Sequence, residues 1–207
     1  MTLFSTSPND IWNGITRDNR PFYIRLRQKN DNIAFEKFLH LLPYNAGYPD
    51  DLVIPNTSNQ EYEFRNASYH FCAWLPNKLN GELQIVGAIS LHPGKKDTTF
   101  SHLCRIHLYI LPSYQSLGIG KKLLSITEQA LSKHHFSRIS FSTIASNKKA
   151  IDFYLKEGFI IEGRTKRTMR LMKKDNKKMV FIDFILFGKW IGEDVEDYSN
   201  QYPIYFK

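Results

Sequence analysis

The sequence predicts an α/β (α+β) domain. A central mixed sheet carries an antiparallel meander in its N-terminal half, parallel strands at its centre and helices on its flanks. Three observations carry that prediction. Between residues 69 and 111, three apolar runs are joined by short turns rich in Pro, Gly and Asn, the pattern of a meander. The last of these runs leads through an amphipathic stretch to another short apolar run at residues 138–143. A strand–helix–strand connection of that kind is right-handed and makes the two strands parallel. Finally, 207 residues with 42% hydrophobic and 14% aromatic side chains can bury one substantial core.

Taken in order, residues 1–20 read as an extended N-terminal arm, 21–190 as the folded domain and 191–207 as an acidic C-terminal tail. Phe22 to Arg27 alternates apolar and basic residues, as a strand does. Asp31 can cap a helix running to about Leu42, with Ile33, Phe35, Phe38, Leu39 and Leu42 on its apolar stripe and Pro43 as its stop. Residues 44–66 are Tyr- and Asn-rich; a loop of that length is a lid, a recognition element or an unstructured insertion, and Tyr44 and Tyr48 are its candidates for lining a substrate mouth. Strands follow at Tyr69–Leu75, Glu82–His92 and Phe100–Leu111, then a helix at Gly118–Lys133 and a strand at Arg138–Thr143. Asn147 and Gly158 fit the two ends of a short helix, with Phe159 completing a Schellman stop. Two long strands, to Met172 and from Lys178 to Trp190, close the domain through a turn at Asp175–Asn176.

Composition excludes several classes. No apolar run reaches membrane-span length and Met1–Asp10 is polar, so the expectation is a cytoplasmic protein without a membrane partner. Cys72 and Cys104 lack metal or redox spacing and are expected to be reduced structural thiols. The net charge of +8 is local: seven of those charges fall between Arg164 and Lys178, on one predicted hairpin. That stretch lacks the interleaved aromatics of a base-stacking surface, which disfavours a nucleic-acid partner.

The stretch Leu111-Pro112-Ser113-Tyr114-Gln115-Ser116-Leu117-Gly118-Ile119-Gly120-Lys121 carries the chemistry. A strand breaks at a proline, turns, and enters a helix through two glycines. Backbone N–H groups then gather at the positive end of the helix dipole with little side-chain bulk in front of them. This is an anion cradle suited to a diphosphate, with Gln115 adding side-chain hydrogen bonding. It is not a dinucleotide fingerprint, which needs another glycine and an acidic residue after the following strand, nor a Walker loop, because Lys121 is followed by Lys122 rather than Ser or Thr.

With Asn147, Tyr154, Gly158 and Phe159, these residues resemble the GNAT superfamily of acyl-CoA N-acyltransferases. Leu-Pro-x-Tyr-Gln-x-x-Gly-Ile-Gly-Lys-x-Leu-Leu is similar to its pyrophosphate motif, and Asn-Lys-Lys-Ala-Ile-x-Phe-Tyr-x-x-x-Gly-Phe to its second signature helix. The resemblance runs from about Tyr23 to Trp190 and implies one GNAT-like domain with splayed central strands and acetyl-CoA as co-substrate. It assigns Leu108, Tyr109 and Ile110 to the pantetheine arm. Gln115, Ser116, Leu117, Gly118, Ile119, Gly120 and Lys121 go to the pyrophosphate, and Asn147 to a further cofactor hydrogen bond. Tyr154, two helical turns after Asn147, is implied to lie near the thioester sulfur and is the general-acid candidate.

The base departs from the family pattern. Many members carry a Glu where this chain has Arg105, and an arginine cannot act as a base. His107, on the same strand face, is one candidate; a water chain to backbone carbonyls is the other. Arg105 is a candidate for binding a substrate carboxylate. The expected function is acetyl-CoA-dependent N-acetylation of a primary amine, on a small molecule or a peptide N-terminus, by a monomer or homodimer without a metal. The alternative is an acyl-CoA-binding regulatory module with little catalysis.

Overall fold

The computed structural model describes residues 10–43, 48–53, 64–77 and 80–192. Nine strands form one sheet: β1 (Trp12–Ile15), β2 (Pro21–Leu26), β3 (Leu52–Val53), β4 (Tyr69–Pro76), β5 (Leu83–Pro93), β6 (Leu103–Ile110), β7 (Arg138–Ile144), β8 (Ile160–Lys173) and β9 (Met179–Trp190). Their spatial order is β1-β2-β4-β5-β6-β7-β9-β8-β3. Among the described residues, three complete helices join them: α1 (Asn32–His40), α2 (Ile119–Lys133) and α3 (Lys148–Lys156). The sheet is mixed and mostly antiparallel, with β6 and β7 as the parallel pair. That is the predicted fold class.

Each sheet face buries its own cluster. Cys104 and Ile106 of β6 and Ile139 and Phe141 of β7 meet Ile119, Leu123, Ile126, Ala130 and Leu131 of α2 and Tyr154 of α3. The opposite face meets Phe35, Phe38 and Leu39 of α1, with Cys72, Trp74, Ile85 and Ala88 beneath them. β5 is buried on both faces, as a central strand between two helical layers must be.

Two details of α1 differ from the sequence reading. Ile33 is 75% exposed, so the stripe reduces to Phe35, Phe38 and Leu39. Asp31 precedes the helix but its side chain does not cap it. Its carboxylate instead accepts two hydrogen bonds from Arg25, both at 2.6 Å, and one from the Gln28 N–H at 2.7 Å. Burial raises the Asp31 pKa, but the Arg25 and Gln28 bonds outweigh it and hold the group below the usual carboxylate range.

The segment predicted as an N-terminal arm contributes a strand: β1 pairs with β2 from Trp12↔Ile24 to Ile15↔Pro21. Part of the 44–66 region is also ordered into the sheet, because β3 pairs antiparallel with the distal end of β8. There Tyr48 and Leu52 pack with Met169, Leu171, Val180 and Ile182. Tyr44 and the acidic residues from Glu193 onward lie outside the described residues. Cys72 and Cys104 are buried free thiols, and burial pushes the Cys104 pKa up to about 12.

The α1-side face also holds two histidines in neutral form. Burial pushes His70 and His107 down to about 4; His70 Nε2 lies 2.7 Å from the Phe64 carbonyl. For a base whose folded pKa is depressed, the unfolded chain binds the extra proton. Stability is therefore complete above pH ~6.5 and falls by about 1.4 kcal/mol per pH unit for each such histidine, down to about pH 4. Urea midpoints measured from pH 7 to pH 4 should follow that decline, and His70→Gln should flatten it. An unchanged slope in the variant would exclude His70 as a contributor.

Candidate functional site

β6 and β7 pair at only three positions, Leu103↔Arg138, Cys104↔Ile139 and Arg105↔Ser140. Both strands continue beyond that point, β6 to Ile110 and β7 to Ile144, without pairing to each other. The result is a fork. On its other side β6 stays bound to β5 as far as Gly87↔Ile110, and the Leu111 N–H then donates to the Val86 carbonyl at 2.9 Å. Strand alternation fixes which peptide groups face the gap. Since Leu111 turns to β5, so do Tyr109 and His107, whereas Ile106, Leu108 and Ile110 turn toward the fork. Of the three residues implied for the pantetheine arm, Leu108 and Ile110 thus present backbone to the gap and Tyr109 does not. The Ile110 carbonyl is already held by Gln115 Nε2 at 3.1 Å.

The cradle lies at the open end of β6. Pro112–Tyr114 forms one 3₁₀ turn, and α2 starts at Ile119. Ser116 and Gly118 take left-handed φ angles of 62° and 89°. At Gly118 that conformation explains the glycine. No N–H from residue 116 to residue 121 has a hydrogen-bond acceptor among the described residues. A Cβ added at Gly118 would meet nothing within 4 Å, and one at Gly120 nothing nearer than 3.7 Å. The glycines are therefore not demanded by internal packing. Open ground lies beside a row of unpaired donors at a helix N-terminus, which fits a diphosphate.

The other predicted residues fall around this fork. Gln115 is tied at both ends of its amide, to Ile110 and, through Oε1, to Lys149 Nζ at 2.7 Å. Its role is to brace the strand end against α3. Asn147 caps α3, its Oδ1 accepting from the Ala150 N–H at 3.2 Å. The Schellman stop forms as read: the Phe159 N–H donates to the Tyr154 carbonyl at 3.0 Å, and Gly158 has φ 83°. Lys121 reaches Glu157 at 3.5 Å.

Tyr154 packs against Phe141, the first β7 residue past the last rung, at 3.9 Å between ring centroids. Phe153, Phe159 and Phe187 surround it, and burial pushes its phenol pKa up, so it holds its proton at any working pH. Arg105 and His107 lie on the opposite sheet face from Tyr154, the α1 side. Arg105 is exposed at the last rung; the His107 ring meets that of His92 edge-on at 5.2 Å. Tyr48, on the hairpin, donates its hydroxyl to Met169 Sδ at 3.6 Å and does not join Arg105 or the cradle.

One participant is absent from the sequence reading. The turn between β1 and β2 docks on the cradle: the Arg17 N–H donates to the Leu117 carbonyl at 3.1 Å and Arg17 Nη1 to the Ser116 carbonyl at 3.2 Å. Arg20 stacks over the Tyr114 ring at 5.4 Å. A contact across 99 residues leaves no local pattern to find.

Among the described residues, no helix is long and apolar enough to cross a membrane, and no cluster of three or more His, Cys, Asp or Glu side chains could hold a metal ion. No curated protein sequence matches the chain. Solved structures do. A GNAT-family acetyltransferase from Streptococcus pneumoniae is 23% identical over 83% of this chain and 99% of its own, with a TM-score of 0.58. A Salmonella typhimurium structure determined with its cofactor acetyl-CoA is 16% identical over 84% and 96%, at 0.58. The ribosomal-protein-S18-alanine N-acetyltransferase of Escherichia coli is 15% identical over 89% and 99%, at 0.55. At these identities the likeness is one of fold. The profile of the Acetyltransferase (GNAT) family matches residues 17–159, which include the fork, the cradle and α3 with its Phe159 stop. The chain belongs to the GNAT acetyltransferase family.

Proposed function

We propose that this acetyltransferase is an N-acetyltransferase, moving the acetyl group of acetyl-CoA to a primary amine on a small molecule or a peptide N-terminus by direct attack on the thioester. The observation that carries the reading is the fork. A strand edge left unpaired next to a helix N-terminus with six unpaired N–H groups suits a long, phosphate-bearing acyl carrier. Acetyl-CoA supplies the activated acetyl group. The N–H groups of residues 116–121 hold its diphosphate, and Leu108 offers backbone pairing to its arm.

Tyr154 keeps its proton on Oη because burial disfavours the phenolate, which is the state required of a proton donor. On the acceptor side, an ammonium substrate must lose a proton before it can attack. His107 is neutral but, with a pKa pushed down to about 4, is a weak base. Arg105 cannot serve. Proton removal is therefore assigned to water relayed along backbone carbonyls. Arg105, exposed at the crotch of the fork, is assigned to a carboxylate on the acceptor.

The same Arg105 and the weakly basic His107 also favour the second reading, an acyl-CoA-binding module with little turnover. Thiol release from acetyl-CoA, followed across simple amines, amino acids and short peptides, separates the two. The enzyme reading expects acceptor-dependent thiol. The module reading expects cofactor-dependent thermal stabilisation with no thiol from any acceptor.

A further inference from the structure

The turn at Thr16–Arg20 is built to be rigid. Thr16 is buried; its N–H donates to the Arg20 carbonyl at 2.9 Å, and its Oγ1 accepts the Arg20 N–H at 2.9 Å. Asn19 closes the turn at φ 60° and donates to the Thr16 carbonyl at 2.9 Å. Asp18 pairs with Arg20 at 2.8 Å. From this fixed base Arg17 reaches the cradle with two donors, one from its backbone and one from its guanidinium, and each takes a different carbonyl, Leu117 and Ser116.

A trans peptide unit points its C=O and N–H in opposite directions. The Ser116 carbonyl shares its unit with the Leu117 N–H, and the Leu117 carbonyl with the Gly118 N–H. Holding both carbonyls on the Arg17 side therefore turns both N–H groups away from it, to the side where neither has an acceptor among the described residues. The loop needs such a hold. Ser116 sits in a left-handed conformation that non-glycine residues seldom adopt, two residues before Gly118, which is also left-handed. Free peptide units there would rotate, and rotation of either one removes a donor from the row.

We propose that Arg17 is a positioning residue of the acetyl-CoA site. It clamps the Ser116 and Leu117 carbonyls from behind the cradle and so presets the Leu117 and Gly118 N–H groups for the diphosphate. The β1–β2 turn is thereby a working part of cofactor binding, contributed from a segment remote in sequence. The proposal rests on the acetyl-CoA assignment.

The test is calorimetric binding of CoA, of dephospho-CoA and of pantetheine to the full chain and to Arg17→Ala and Arg17→Lys. A clamp acting through the diphosphate predicts that Arg17→Ala weakens CoA and dephospho-CoA by the same factor, about five- to tenfold, the worth of one oriented hydrogen bond. Pantetheine binding should not change, and Arg17→Lys should recover part of the loss. In turnover, KM for acetyl-CoA should rise with kcat retained. A loss confined to CoA would mean direct contact with the 3′-phosphate and would overturn the clamp. So would wild-type affinity of Arg17→Ala for both nucleotides, or an equal loss with pantetheine. Failure of the wild-type chain to bind CoA at all would instead contradict the cofactor assignment itself.

Discussion

Tyr154→Phe is expected to lower kcat for acetyl transfer by about 10²- to 10⁴-fold, the usual contribution of a positioned general acid. Affinity for CoA and thermal stability should stay close to those of the parent chain. The reason is the packing. The ring of residue 154 is held by Phe141 at 3.9 Å, Phe153 at 5.0 Å and Phe159 at 5.5 Å, and a phenylalanine ring keeps all of those contacts. Only the hydroxyl is lost. Steady-state kinetics beside a melting curve read both quantities. A variant that keeps full turnover would show that the proton comes from water or from the ammonium, and Tyr154 would then be a core residue alone.

The second large effect is on stability. Phe141→Ala should cost about 3–5 kcal/mol, because it removes the centre of an aromatic cluster that closes one side of the fork. Phe187 stacks parallel to Phe141 at 4.9 Å and Phe159 meets it edge-on at 5.2 Å, so its loss leaves a cavity that rigid neighbours cannot collapse into. A typical domain holds only about 5–15 kcal/mol in total. Urea unfolding should show a sharply lowered midpoint with an unchanged slope, and turnover should fall as well, because Tyr154 loses the ring that orients it. A stability loss below about 1 kcal/mol would mean that Tyr154 and Phe187 repack to fill the space.

What the sequence made legible is what is written locally. A strand, a proline, a tight turn, two glycines and an amphipathic helix specify the cradle within a dozen residues. Asn147, Gly158 and Phe159 mark both ends of α3 through bonds that span no more than five residues. Sequence and structure part where a tertiary contact overrides a local preference. Asp31 has the chemistry of a helix cap, yet the Arg25 guanidinium takes its carboxylate. Ile33 fits the helical period, but α1 packs through Phe35, Phe38 and Leu39 and leaves Ile33 exposed. The β1 strand was invisible because Trp12–Ile15 is short and acquires its meaning only through β2. Arg17 shows the same limit in the site itself. Its function comes from a contact made across the chain, so the part of the cradle that aims the donors could not be read where the donors were.

The acceptor side was less legible for a related reason. The sequence makes Tyr48 a candidate for a substrate mouth, but its ring is committed to a small core with Leu52, Met169 and Leu171 that pins β3 to the β8–β9 hairpin. Arg105 stands where the resemblance implies a Glu in many family members, and its chemistry is visible only against that pattern.

On the proposed reading, the fork transfers an acetyl group from acetyl-CoA to an amine nitrogen. Mass spectrometry of the acceptor after incubation with isotopically labelled acetyl-CoA tests it most directly, with amines, amino acids and alanine-, serine- or methionine-initiated peptides as the panel. At least one acceptor is expected to gain a single labelled acetyl group on its primary amine, in an amount matching the CoA released. Label that remains on the thioester with every acceptor, or that appears only on a hydroxyl oxygen, would contradict it.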